Sequence, residues 1–185
     1  MMRLLVFLLS LACASAWGGE VTRAAPPPFE LQVLWSNPYD YEWMTWGFGC
    51  SGSSRVQDDF ELEAAGLVKG FEGWFTYHDV TPPKPFIATI FADADSKPGS
   101  ELWTADISQV VVFDTGDDFW FDDSRVWHTI MFLEESDYTF IEAGRRLWLE
   151  LYFTYNTAEL MCEDIGNLYF NGERKDFSAF FSVLG

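Results

Sequence analysis

Residues Arg146 to Tyr155, RLWLELYFTY, constrain this chain more than any other stretch. Leu147, Leu149, Leu151, Phe153 and Tyr155 alternate strictly with Trp148, Glu150, Tyr152 and Thr154. A period of two sends each set to its own side of an extended backbone. The leucine side is wholly apolar and must face a core. The other side mixes Trp and Tyr with a carboxylate, the make-up either of a wet sheet face or of an aromatic binding platform.

The rest of the chain repeats the theme in shorter form. Phe29 to Trp35, Arg55 to Leu62, Leu67 to Tyr77, Phe86 to Ala92, Arg125 to Leu133, Tyr138 to Ile141, Leu168 to Phe170 and Ala179 to Leu184 are apolar runs of strand length. Val56, Asp58, Phe60 and Leu62 fall on one side of theirs, and Val126, His128, Ile130 and Phe132 on one side of another. Glu101 to Phe113 holds one strand or two, with Val110 to Phe113 a buried run. Turn chemistry separates them: Pro82, Pro83 and Pro85, then Asp93 to Gly99, then the acidic loop Asp114 to Asp123. Asn37 to Ser54, with Trp43, Trp46 and three glycines, reads as a long aromatic loop. No helix and no fixed repeat emerges. About nine or ten short strands predict an all-β, single-domain antiparallel β-sandwich of jelly-roll-like type over residues 29–185.

The N-terminus predicts export. Arg3, the apolar run Leu4 to Leu11 and the small residues Ala14-Ser15-Ala16 form a cleavable signal over residues 1–16, too short to span a bilayer. A lipoprotein signal ending at Cys13 is the alternative, disfavoured because Ser10 stands where Leu is wanted. Residues 17–28, WGGEVTRAAPPP, form a flexible leader. The expected location is therefore the periplasm or the cell exterior. Signal removal leaves Cys50 and Cys162, which an oxidising compartment is expected to join as a disulfide.

The formal charge of −18 argues against nucleic acid and anionic lipid surfaces, which need cationic contacts. It leaves neutral sugars, cations or basic proteins as partners. No later run is apolar and charge-free for long enough to predict a membrane span.

Four blocks, in order, carry a resemblance. Val56-Gln57-Asp58-Asp59-Phe60-Glu61-Leu62 is similar to a Q-x-A-D-D-F-x-L strand, and Gly70-Phe71-Glu72-Gly73-Trp74-Phe75 to a strand centred on Trp. Ile87 to Gly99 is similar to a strand with a D-x-x-x-x-P-G turn, and Ile141 to Leu151 to an A-G-x-x-Y-W-L-x-I strand. Together they resemble a loose group of secreted bacterial β-sandwich proteins of unassigned function, across roughly residues 55–155. The resemblance implies an exported jelly-roll-like sandwich and carries over no catalytic residue. The C-terminal anchoring segment of many such proteins has no counterpart in FSAFFSVLG, which speaks against surface attachment.

Enzyme signatures are missing: there is no G-x-S-x-G elbow, no H-E-x-x-H and no phosphate-cradling glycine loop. His78 and His128 are the two histidines, and neither has a nucleophile close in sequence. Glu150, flanked by Trp148 and Tyr152, is the best placed carboxylate for two-carboxylate glycoside hydrolysis, but no matching partner stands out. Asp93 and Asp95 in one turn, and Asp117, Asp118, Asp122 and Asp123 in another, are candidates for a structural calcium site, without EF-hand spacing. No other cofactor is expected. Nine Trp in the chain, eight of them in the predicted domain, suit sugar recognition, because flat rings stack on C–H faces while carboxylates accept from hydroxyls; packing between the sheets is the competing reading for any one of them. The expected function is a non-catalytic secreted module that binds carbohydrate or another surface ligand through Trp148, Glu150, Tyr152, Trp74 and Tyr77. A structural or adhesive protein that self-associates through edge strands is the alternative, and a small hydrolase using Glu150 comes third.

Overall fold

The structure is a computed structural model that describes residues 31–77, 86–119, 124–154 and 158–185. The signal and leader segments, Phe29, His78, Pro82, Pro83, Pro85, Trp120, Asp122, Asp123 and Tyr155 lie outside the described residues. In chain order the strands are β1 (Val33–Asn37), β2 (Met44–Gly49), β3 (Val56–Glu61), β4 (Gly66–Val68), β5 (Gly70–Tyr77) and β6 (Phe86–Asp93). Then follow β7 (Pro98–Asp106), β8 (Gln109–Phe119), β9 (Ser124–Phe132), β10 (Thr139–Ile141) and β11 (Arg146–Phe153). The last are β12 (Ala158–Glu163), β13 (Tyr169–Phe170), β14 (Glu173–Arg174), β15 (Ser178–Ala179) and β16 (Phe181–Leu184).

Two antiparallel sheets and one ribbon result. The first sheet runs β8–β9–β5 and then divides. The C-terminal half of β5 pairs with β12, which carries β2, whereas its N-terminal half pairs with β16, which carries β1. The second sheet has the order β14–β13–β3–β11–β6–β7, and β4 with β10 forms the ribbon. Chemistry sorts the faces. Phe71 and Phe75 of β5, Met131 of β9, Leu160 of β12 and Val183 of β16 look inward from the first sheet. They meet Val56 and Phe60 of β3, Ala88 and Ile90 of β6, and the leucines of β11. Two sheets, each with one apolar side, bury those sides against each other, as sandwiches do. Gly73 is required within this core, because a Cβ there would stand 2.7 Å from the Phe75 ring.

A smaller apolar cluster lies over the outer side of the first sheet: Met44, Phe119, Val126, Met161 and Phe180. The sequence predicts a loop at Met44. Instead Met44–Gly49 is a strand, since β12 offers it a ladder from Glu159 to Glu163.

The expected disulfide is not formed. Cys50 and Cys162 are both free thiols, fully buried in the main core. The Cys50 amide donates to the Ala158 carbonyl, while Cys162 stands opposite Trp46. Four residues of strand rise, roughly 13 Å, therefore separate the two along β12. A disulfide needs α-carbons within about 7 Å. Burial pushes both thiols above the ordinary cysteine value, so they behave as small apolar side chains.

Candidate functional site

The polar side of β11 faces outward from the second sheet, as its alternation requires. There it is covered rather than open. Trp148 lies between Asp59 of β3 and Phe91 of β6 and has 0% of its surface exposed. Its indole N–H donates to Asp93 Oδ1 at 2.9 Å, and Tyr169 of β13 meets the ring edge-on at 5.2 Å. The Arg146 guanidinium stands 5.4 Å from the ring centre and donates to Asp59 Oδ2 at 2.8 Å and to Ser96 Oγ at 3.2 Å. Trp148 is thus the middle of a knot joining β3, β6, β11 and β13, and the expectation of a stacking platform on it is corrected: no ring face reaches solvent.

The same knot uses up Asp93. Its second oxygen accepts from the Ser96 amide, so N–H donors hold both oxygens. Asp95 and Ser96 turn the chain with φ of 57° and 63°. Among the described residues no three acidic, histidine or cysteine side chains converge as cation ligands. At the other candidate turn, Arg125 pairs with Asp114 at 3.3 Å and with Asp118 at 3.0 Å, while Asp117 accepts from the Tyr39 hydroxyl.

Glu150 and Tyr152 continue the outward row. Arg55 closes over both, its Nε 3.5 Å from Glu150 Oε1 and its guanidinium 3.7 Å above the Tyr152 ring. The Tyr152 hydroxyl donates to the Gly52 carbonyl at 2.9 Å. Burial pushes the Glu150 carboxyl up, while Arg55 and Gln57 pull it partly back. A carboxylate with a raised value suits general-acid work. Here its outward approach is occupied by Arg55, and Tyr152 has given one face to the same guanidinium.

Trp74 and Tyr77 belong to different faces of β5. Tyr77 points inward, its ring 5.9 Å from Phe75 and its hydroxyl 2.7 Å from Thr129 Oγ1. Burial holds its phenol well above the ordinary tyrosine value. Trp74 points outward, clamped between Tyr39 at 5.7 Å and the His128 imidazole at 4.6 Å, with all three planes nearly parallel. His128 Nε2 lies 2.8 Å from Glu72 Oε2, and Glu72 also accepts from Ser182, which shares a 2.8 Å bond with Ser36. Burial pushes the Glu72 carboxyl up, but the bonds from His128 and Ser182 outweigh it and hold the group below the ordinary value. Serine catalysis needs the imidazole between hydroxyl and carboxylate. In this chain the carboxylate is in the middle, so these residues form no nucleophile–base pair.

The five candidate ligand residues therefore do not meet. Trp148, Glu150 and Tyr152 share the outer side of one sheet, Trp74 lies on the outer side of the other, and Tyr77 is in the core. The accessible aromatic surface lies elsewhere. Eight large apolar side chains are exposed among the described residues, and three of them fall within six positions: Tyr41 at 49%, Trp43 at 59% and Trp46 at 45%. A firm turn presents Tyr41 and Trp43, and the strand β2 that follows it carries Trp46. Asp40 Oδ1 accepts from the Glu42 amide, and the Asp40 and Tyr41 carbonyls accept from the amides of Trp43 and Met44. Met44 anchors the turn in the outer apolar cluster, and Trp46 meets Phe177 edge-on at 6.2 Å. The signal for this site was Asp40 flanked by aromatic residues, a side-chain-capped turn that displays its neighbours.

Among the described residues no helix is long and apolar enough to cross a membrane. Comparison of the chain with protein-family models, with curated proteins and with solved structures finds no match.

Proposed function

We propose that this chain is a secreted, non-catalytic β-sandwich module that binds carbohydrate or another surface ligand through aromatic side chains, and that the contacting rings are those of Tyr41, Trp43 and Trp46. The observation that carries the reading is their exposure on a hydrogen-bonded turn and on the edge strand that follows it. A rigid turn supplies ring area at little cost in ordering, which is what stacking on a sugar face requires. The net charge of −18 favours a neutral ligand over an anionic one. Export rests on the signal-like residues 1–16, and N-terminal sequencing of the mature protein should begin at Trp17.

Titration of Trp fluorescence with neutral polysaccharides tests the binding. Saturable changes in the wild type, lost in Trp43→Ala, are expected; no response across a broad glycan panel sinks the reading. The bland alternative is self-association. Its support is β8, eleven residues long and paired only with β9 among the described strands. Sedimentation separates the two, since self-association gives oligomers without sugar.

A further inference from the structure

Asp58 is the one acidic side chain among the described residues that lies in the interior of the sandwich, only 2% exposed, where its strand alternation would suit an apolar residue. From β3 of the second sheet it reaches across to β15 of the first. Asp58 Oδ2 accepts from Ser178 Oγ at 2.9 Å and from the Ala179 amide at 2.6 Å, and Oδ1 accepts from the Asp59 amide at 2.9 Å. Asn37 of β1 completes the web, donating to Ser178 Oγ, to the Ala179 carbonyl and to Glu163 of β12.

We infer that Asp58 makes the segment from β13 to β15 a pH-sensitive latch: with its carboxyl group neutral the segment stays closed over Cys162, and ionisation of that group between the sheets loosens it. Every partner of the carboxyl is an uncharged donor. The charged and titratable groups nearby do not compensate it. Asp59, on the same strand, adds repulsion. The Cys162 thiol of β12 is itself held neutral by burial. Glu163 of β12, opposite Ser178, accepts from Asn37 and is a further negative group. The Arg146 guanidinium of β11 does feel Asp58, but it lies on the far side of the sheet, bonded to Asp59 at 2.8 Å and 3.9 Å from Asp93. Burial accordingly pushes the Asp58 carboxyl up to about 7, with the three donors pulling back.

The sign follows from linkage. A folded-state value above the ordinary one contributes stability that is complete below the ordinary carboxylate range and is lost as pH rises through about 7. The loss falls first on β15, which Asp58 holds directly through Ser178 and Ala179. β15 has two paired positions on β12, β13 has two on β3, and β14 pairs only with β13 among the described strands. Short ladders lower the cost of opening, while Leu168 and Ala179 in the core and Tyr169 against Trp148 set the packing that an opening gives up. Cys162, opposite Ala179 and without exposed surface, is what such an opening uncovers.

Backbone hydrogen exchange of the full chain, corrected for intrinsic rates, tests this over residues 165–179. The opening equilibrium should rise about 100-fold between pH 4.5 and 7.5, whereas Asp58→Asn should be nearly flat. Alkylation of Cys162, corrected for thiolate fraction, should follow the same curve. A pH-independent wild type overturns the latch, and so does an Asp58→Asn variant with the full rise. Should Asp58→Asn not fold, Ser178→Ala decides. Losing that donor should move the midpoint of the wild-type curve to higher pH, and an unmoved midpoint refutes the assignment.

Discussion

Replacing Trp148 by Phe separates a structural ring from a ligand-binding one. The substitution keeps an aromatic ring in the slot between Asp59 and Phe91 but removes the indole N–H that donates to Asp93. A hydrogen bond to a charged acceptor is worth about 1.5–3 kcal/mol, and the lower end applies because water reaches the Asp93 side chain, which is 28% exposed. The smaller ring also leaves space beneath Tyr169 and Arg146, at roughly 1–2 kcal/mol for a fully buried site. Trp148→Phe should therefore cost about 3 kcal/mol in urea unfolding, with a lower midpoint and an unchanged slope. Ligand affinity, scaled to the folded fraction, should not move. A variant within about 0.5 kcal/mol of wild type that loses binding would instead make Trp148 a contact residue and refute its structural role.

Trp43→Ala should do the reverse, staying within about 0.5 kcal/mol of wild-type stability in the same urea assay while losing the fluorescence response. Thr76 is fully buried beside Val126, and its hydroxyl has no hydrogen-bond partner among the described residues. Thr76→Val should accordingly stabilise by about 1–2 kcal/mol in thermal or urea melts, and a loss would mean the hydroxyl is satisfied. Glu150→Gln should be more stable than wild type at pH 8 and equal to it at pH 4. The reason is that burial raises the Glu150 carboxyl, so the stability its neutral form supplies fades as pH rises through the folded value. Denaturant midpoints at the two pH values check it. Cys50 and Cys162 should resist alkylation in the native protein at pH 5 and react fully in guanidinium, as mass spectrometry would count.

Alternation made the core side of the fold legible. Leu147, Leu149 and Leu151 point into the sandwich as their period demands, and so do Val56, Phe60 and Leu62. Periodicity assigns a side but not what covers it. Trp148 is buried by Asp93 and Tyr169, which are 55 and 21 positions away in sequence, and no local pattern announces either. The same limit explains Cys50 and Cys162: counting cysteines says nothing about a register that holds them four residues apart. Two segmentations also shifted. The run Leu67 to Tyr77 breaks at Lys69, where the chain leaves the ribbon for the first sheet. Val110 to Phe113, expected to be buried, is half-buried on the edge strand β8. Alternation with Val56, Phe60 and Leu62 already puts Asp58 on the apolar side of its strand. Its position is visible in the sequence, and its partners Ser178 and Ala179, 120 residues on, are not.

The pairing of β1 with β16 sets an order of events for the living chain. Val33 lies opposite Leu184, and Gln32 and Gly185 exchange two backbone hydrogen bonds at 2.8 and 2.7 Å. The first strand thus waits for a partner synthesised some 150 residues later, and that partner also completes the edge of β5. During translation Trp35 of β1 can already meet Phe60, but the strand it pairs with, β16, is made far later. Contacts of such long sequence separation fold slowly. Until β16 is made, β5, β9 and β8 can pair with one another while the other edge of β5 stays without that partner.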